Sequence, residues 1–218
     1  MRKINITLII TAIIIIVGIF ANGIILRNKF LKGEFDDPFK NGTKQELHGI
    51  TSLDLTNYQS KYQNKYYGEI KIKFNDSINE IMSQSKEDIS TIVEDSLLTV
   101  MKVLYGITEI KISDLKHLRA SKYQNIFIDD FTITNLDISA SDSTTITLNN
   151  CKIENLNIIA DNHTIIVLES TNLIQNVNLI LTSNSTFSAL DINFKEFVYD
   201  IEDDCSLNLS GKSLKMLK

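Results

Sequence analysis

ITNLDISASDSTTITLNN (133–150), CKIENLNIIADNHTIIVLES (151–170), TNLIQNVNLILTSNSTFSAL (171–190) and DINFKEFVYDIEDDCSLNLSGKSLKML (191–217) carry one apolar pattern that returns every 20 or 21 residues. Ile133, Leu136, Ile138, Ile146 and Leu148 set the template. Ile153, Leu156, Ile158, Ile166 and Leu168 repeat it, then Ile174, Val177, Leu179, Phe187 and Ala189, then Phe194, Phe197, Tyr199, Leu207 and Leu209. Every one of these positions is apolar in a chain that is 43% hydrophobic, so the match is not accidental. Leu214 and Leu217 open a further copy as the sequence runs out.

A fixed period of this length marks a solenoid, in which no single repeat can bury its apolar face alone. Within a copy the apolar residues alternate, as in Leu136-x-Ile138 and Ile146-x-Leu148, which is the period of strands and not of helices. Turn-forming residues separate them at Ser139–Thr145, Asp161–Thr164, Thr182–Thr186 and Glu202–Ser206. One copy is therefore one coil of a parallel β-helix, and stacking coils ~4.8 Å apart turns the apolar columns into a continuous interior. Leucine-rich repeats share the period but need a helix in each repeat, where this chain has Ser, Thr and Asp. Asn135, Asn155 and Asn176 form a polar column, and Asp137, Asn157 and Asn178 a second. Side-chain amides stacked in this way bond from coil to coil.

Outside the repeat the chain changes character. Met1–Lys3 is basic, and Ile4–Leu26 then runs without a charge, longer than the ~20 residues that cross a bilayer. A retained membrane anchor is favoured over a cleaved signal peptide, although Ala21-Asn22-Gly23 offers small residues for cleavage. Residues 1–29 are thus a transmembrane anchor or uncleaved signal, with the membrane as partner through residues 4–26. Residues 30–49 read as a tether, with Gly33, Asp36-Asp37-Pro38 and Asn41-Gly42 as breakers.

Residues 50–106 hold two expected strands, Ile50–Tyr58 and Tyr66–Phe74, and an expected capping helix. Ile89, Ile92, Val93, Leu97, Val100, Met101 and Leu104 fall on one helical stripe, with Ser85-x-x-Asp88 as a capping box and Gly106 as the stop. Such a helix would cover the open end of the β-helix, residues 107–218. In the weak first coil, Ile110–Phe131, His117 is expected to stand in the column of Ile138. Lys212, Lys215 and Lys218 are expected to guard the far end against strand pairing. The fold class is mainly β: a parallel β-helix of about five coils, with an amphipathic capping helix, behind an N-terminal transmembrane helix.

Charge is uneven. The net charge is −5, but residues 1–32 hold five basic residues and no acidic one, leaving 17 basic against 27 acidic residues in the remainder. An acidic body argues against nucleic-acid binding. Cys151 and Cys205 lie nearly three coils apart, ~14 Å along the axis, whereas a disulfide needs Cα atoms within ~7 Å. Both are expected to be unpaired.

Signals for chemistry are few. His48, His117 and His163 are isolated, without zinc-ligand spacing, and there is no phosphate-binding glycine loop or G-x-S-x-G elbow. The acidic pairs Asp36-Asp37, Asp129-Asp130 and Asp203-Asp204 read as solvated turns, because glycoside hydrolysis needs two carboxylates facing each other within ~5–9.5 Å. Glu202, Asp203 and Asp204 lack the ligand spacing of a calcium loop. Tyr58, Tyr62, Tyr66 and Tyr67 could stack on sugars but more simply cover local strands. No catalytic, cofactor-binding or metal-ligating residue is assigned.

Asn135–Asp142 (NLDISASD), Asn155–Asp161 (NLNIIAD) and Leu207–Leu217 (LNLSGKSLKML) resemble segments of the head GIN domain family of adhesin-like bacterial envelope proteins. The resemblance spans residues 107–218 and implies a parallel β-helix behind an export signal, without an established catalytic set. Taken together, these readings lead to the expectation of a non-enzymatic structural or adhesion module. It would sit on a single-pass anchor in a bacterial inner membrane with its body in the periplasm, meeting an envelope polysaccharide or protein. A carbohydrate-active β-helix enzyme and a polymerising envelope scaffold are the alternatives.

Overall fold

A computed structural model describes residues 38–56, 69–84, 89–102, 106–122 and 124–217, together with Ile24. The chain divides into two units, Met1–Lys40 and Asn41–Lys218. Ile24 is helical, and the rest of the Ile4–Leu26 run lies outside the described residues. No helix among the described residues is long and apolar enough to cross a membrane.

The second unit is built of strands. The N-terminal ones are β1 (Thr43–Leu47), β2 (Ser52–Leu55), β3 (Glu69–Phe74), β4 (Asn79–Ser83), β5 (Ser90–Glu94), β6 (Leu97–Lys102) and β7 (Ile107–Ile112). Five coils of two strands follow: β8 (His117–Ala120) with β9 (Asn125–Asp129), β10 (Thr132–Ala140) with β11 (Thr145–Asn149), and β12 (Lys152–Ala160) with β13 (Ile165–Leu168). The last two are β14 (Leu173–Leu181) with β15 (Thr186–Leu190), and β16 (Glu196–Ile201) with β17 (Ser206–Ser210); a 3-10 turn, Gly211–Leu217, closes the chain. Even-numbered coil strands stack in one parallel sheet and odd-numbered ones in the other, so the chain is a parallel β-solenoid.

The expected columns superpose. Leu136 pairs with Leu156, Leu156 with Val177, and Val177 with Phe197. Leu136, Leu156, Ile146, Ile166 and Phe187 are fully buried, which is where the hydrophobic stabilisation resides. His117 is an exception to the expected register. It pairs with Asp137, while Leu118 takes the Ile138 column. A one-residue slip would move Leu118 to solvent and His117 inside, so burial sets the register.

In β12 the outward residues Glu154 and Asn155 are adjacent, between the inward Ile153 and Leu156. That break in alternation bends the strand and gives each coil a short third side. At the two corners the backbone turns left-handed. Asp130, Asn150 and Asp191 have φ of 69°, 53° and 55° at one corner. Asp142-Ser143, Asn162-His163 and Ser183-Asn184 turn through two such residues in succession at the other. Asn and Asp tolerate this conformation best among non-glycine residues, which explains a solenoid with few glycines.

Polar residues line the corners from within. Thr144, Thr164 and Ser185 are fully buried, and the Thr144 and Thr164 hydroxyls donate to Ser141 O (2.7 Å) and Asp161 O (2.6 Å). At the other corner buried Asn172 donates to Leu148 O (2.7 Å) and Glu169 O (2.8 Å) and accepts from Cys151 N (2.9 Å). Cys151 is buried beside it, Cys205 is half-buried, and both are free thiols. Burial pushes the Cys151 thiol up to about 11.

The N-terminal strands extend the stack out of chain order. The β2/β3 rung lies between β8/β9 and β6/β7, all in parallel register, so the chain crosses a whole rung between β7 and β8. β4 then pairs antiparallel with β7, β1 antiparallel with β4, and β5 antiparallel with β6. Thr43–Leu47, at the end of the stretch expected as a tether, is thus a sheet strand.

The amphipathic capping helix expected before Gly106 is corrected: Ser90–Glu94 and Leu97–Lys102 are the two arms of a hairpin. Asp95, with φ of 53°, opens a two-residue turn between them. Leu98 and Val100 alternate inward on β6, whereas Ile92 and Val93 are 47% and 45% exposed on the edge strand β5. The helical stripe therefore joined Ile92 and Val93, which face solvent, to Ile89 and Val100, which are buried. β-branched Thr91, Ile92, Val93, Thr99 and Val100 favour the strand. Gly106 stops no helix; it turns with φ of 80° where a Cβ would come within 2.4 Å of Gln84 Oε1. Ser85–Asp88, the tyrosine cluster and Asp36-Asp37 lie outside the described residues.

Candidate surface groove

Two adjoining open depressions, of about 690 and 750 Å3, lie over the short third side of the coils and share Thr132, Ile133 and Thr134 as a wall. Because Thr132 stacks on Lys152 and Lys152 on Leu173, the groove runs along the solenoid axis and not around it. Lys152, Glu154, Leu173 and Lys195 line one part, His117 and Asp137 the other. Leu173 is 63% exposed and, with Ile133, Ile153 and Ile174, gives this part of the groove an apolar floor between its charged side chains.

Beside the groove stand the two polar ladders. Asn155 donates to Asn135 Oδ1 (2.9 Å) and Asn176 donates to Asn155 Oδ1 (2.8 Å), as the first column requires. In the second, Asn157 donates to Asp137 Oδ1 (2.7 Å) while His117 Nδ1 lies 3.0 Å from Asp137 Oδ2. Among the described residues, this His117–Asp137–Asn157 row is where the structure brings a histidine and a carboxylate together that the sequence left separate. Both His117 and Asp137 are about half exposed, so the contact is solvated and weak.

Four of the corner carboxylates share one arrangement. Asp130 accepts from Asn150 (2.6 Å), Asp142 from Asn162 (2.8 Å), Asp204 from Asn184 (3.0 Å), and Asp129 from Asn149 (3.5 Å). Each acid thus stacks on an amide one coil away. Two acids ~4.8 Å apart would repel, and an amide in their place both removes the repulsion and donates a bond. Asp129 is the one perturbed upward: burial raises it, and Asp130 beside it adds to the effect against the Asn149 bond. Glu202 accepts from Ser183 N (2.9 Å) instead of facing Asp204. Among the described residues no three His, Cys, Asp or Glu side chains gather where a metal ion could sit.

The densest charge cluster lies elsewhere, at the N-terminal end. Glu80 is nearly buried and is clasped by Lys44 of β1 and by Lys111 of β7 (2.9 Å). Lys111 also approaches Glu109 (3.5 Å), which holds Lys73 of β3 (2.8 Å). Burial alone would raise the Glu80 carboxyl, but the hydrogen bonds and charges of Lys44 and Lys111 outweigh it and hold it below its ordinary value. The Glu80 bond in turn raises Lys111. The network ties four strands together and braces the end of the sheet. Sequence reasoning missed it because β1 and β4 reach β7 only by antiparallel closure, and β3 reaches it by a parallel pairing outside the twenty-residue period.

Compared with known proteins, the chain matches no family model and no curated protein sequence.

Proposed function

We propose that the chain is a non-catalytic cell-envelope module, held outside the cytoplasm by its N-terminal apolar run, that offers the axial groove to an extended envelope polysaccharide or protein. The observation that carries this reading is the pairing of acids with amides. Glycoside hydrolysis asks two carboxylates to face each other across the bond, and here Asp130, Asp137, Asp142 and Asp204 each meet an asparagine. Such a surface presents a regular file of donors and acceptors, in which each of these acids is held against an amide and not against a second carboxylate. The resemblance of residues 107–218 to head GIN domains and the charge-free Ile4–Leu26 run support the same location.

Protease added to intact cells and to cells with permeabilised outer layers tests the placement. Digestion of the body only from outside the inner membrane is expected. A body protected until the inner membrane is lysed overturns the proposal.

A further inference from the structure

We propose that the C-terminal end of the solenoid is a self-association surface, on which two copies pair end to end by antiparallel alignment of their β16 strands about a two-fold axis. The two ends of the stack differ. β16 is the outermost strand of its sheet, so its outer N–H and C=O groups have no strand to pair with among the described residues. The interior is also exposed there. Phe197 and Tyr199 continue the Val177 and Leu179 columns, yet Tyr199 is 50% exposed, as is Leu214 on the closing 3-10 turn. Phe197 sits at the centre of an aromatic cluster, 5.8 Å from Phe187, 5.4 Å from Phe194 and 5.6 Å from Tyr199. The 3-10 turn is tied to the first corner by Ser213, bonded to Ile192 N (2.9 Å) and O (3.0 Å), and packs on the β15 and β17 sheet.

Charge selects the occupant and its orientation. β16 runs from a mixed corner, with Lys195 and Lys212 beside Glu196 and Asp191, to a corner with Asp200, Glu202, Asp203 and Asp204 and no base. A two-fold axis along the strands would set acidic corner on acidic corner. An axis normal to the sheet reverses the strand, so each acidic corner meets the lysines of the other copy. Inward residues must face inward residues. With the axis at Tyr199, the tyrosine lies against its own mate, Phe197 against Ile201, and Lys195 beside Asp203. Glu202 and Asp204 already bond Ser183 and Asn184 in the coil below, whereas Asp203 makes no such bond among the described residues. The opposite end carries the antiparallel strands β1 and β5, so this association closes as a dimer and does not extend into a fibre.

Sedimentation equilibrium of the full chain, in detergent that keeps the Ile4–Leu26 run soluble, tests the surface. The wild type is expected to dimerise, and Tyr199→Lys to abolish it while leaving the far-ultraviolet circular dichroism unchanged. Lys195→Glu should weaken the dimer about tenfold at low salt, and Lys195→Glu with Asp203→Lys should restore it. In a Cys205→Ser background, oxidised Tyr199→Cys should give a disulfide-linked dimer that Ile92→Cys, at the other end, does not. A wild type that stays monomeric, or Tyr199→Lys and Lys195→Glu variants that dimerise like it, would overturn the proposal.

Discussion

The two ends of this solenoid solve the same problem in opposite ways. At the N-terminal end the parallel stack is stopped by strands that reverse direction, and the Lys44–Glu80–Lys111–Glu109–Lys73 chain of ion pairs clamps them. At the C-terminal end no strand reverses: among the described residues β16 has no neighbour on its outer side, and Tyr199 and Leu214 are half exposed. A residue in the same column therefore matters according to how many coils lie beyond it. Burial, and not position in the repeat, decides its worth.

That contrast is sharpest within one column. Leu179→Ala removes a fully buried side chain and is expected to cost about 2–5 kcal/mol. Tyr199→Ala, next in register, should cost under about 1 kcal/mol because half its surface is already wet. Urea unfolding of both variants at a concentration where the chain is monomeric checks this, and equal losses would erase the distinction between middle and end.

The clamp gives the next largest effect. Glu80→Ala leaves two lysines without their nearly buried partner, for an expected loss of about 2–4 kcal/mol. Its pH dependence has a definite sign. Glu80 is held below its unfolded value, so its contribution is present above that value and fades as pH falls through the folded one. Lys111 is raised, so its contribution is present below its unfolded value and fades as pH climbs through the folded one. Hydrogen exchange should show β1 and β4 amides loosening in acid before those of β12 and β14. Uniform loosening would make the clamp ornamental.

Within the middle coils, Asn172→Ala strips the Cys151 N–H and the Leu148 and Glu169 carbonyls of a buried partner. A loss of about 2 kcal/mol is expected by thermal unfolding. The smallest effect has the opposite sign. His163 turns with φ of 62°, and His163→Gly should gain about 0.5–1 kcal/mol by relieving it. A loss instead would mean that the imidazole has a bond worth more than the strain.

How far the sequence could be read depends on the element. The columns through Leu136, Leu156 and Val177 were legible because each apolar residue has a copy about twenty positions away. The Asn135–Asn155–Asn176 ladder was legible for the same reason. The β5–β6 hairpin was not. Ile92 and Val93 lie on an edge strand and point outward, so they mimicked a helical stripe that burial alone unmasks. His117 was misplaced by one position because its coil is short and its apolar spacing irregular. At the groove, the approach of His117 to Asp137 was hidden by that same slip.

Local chemistry in the chain dictated the strand period, the coil length and the left-handed corners, since alternation, repeat and Asn or Asp at the bends are all written between near neighbours. Only the folded chain decided that β2 and β3 slide between two later rungs, that Glu80 meets Lys44 and Lys111, and that β16 is left as the outer strand of its sheet among the described residues. Those features join residues with no common period. They are settled by which surfaces remain to be covered once the repeating core has formed.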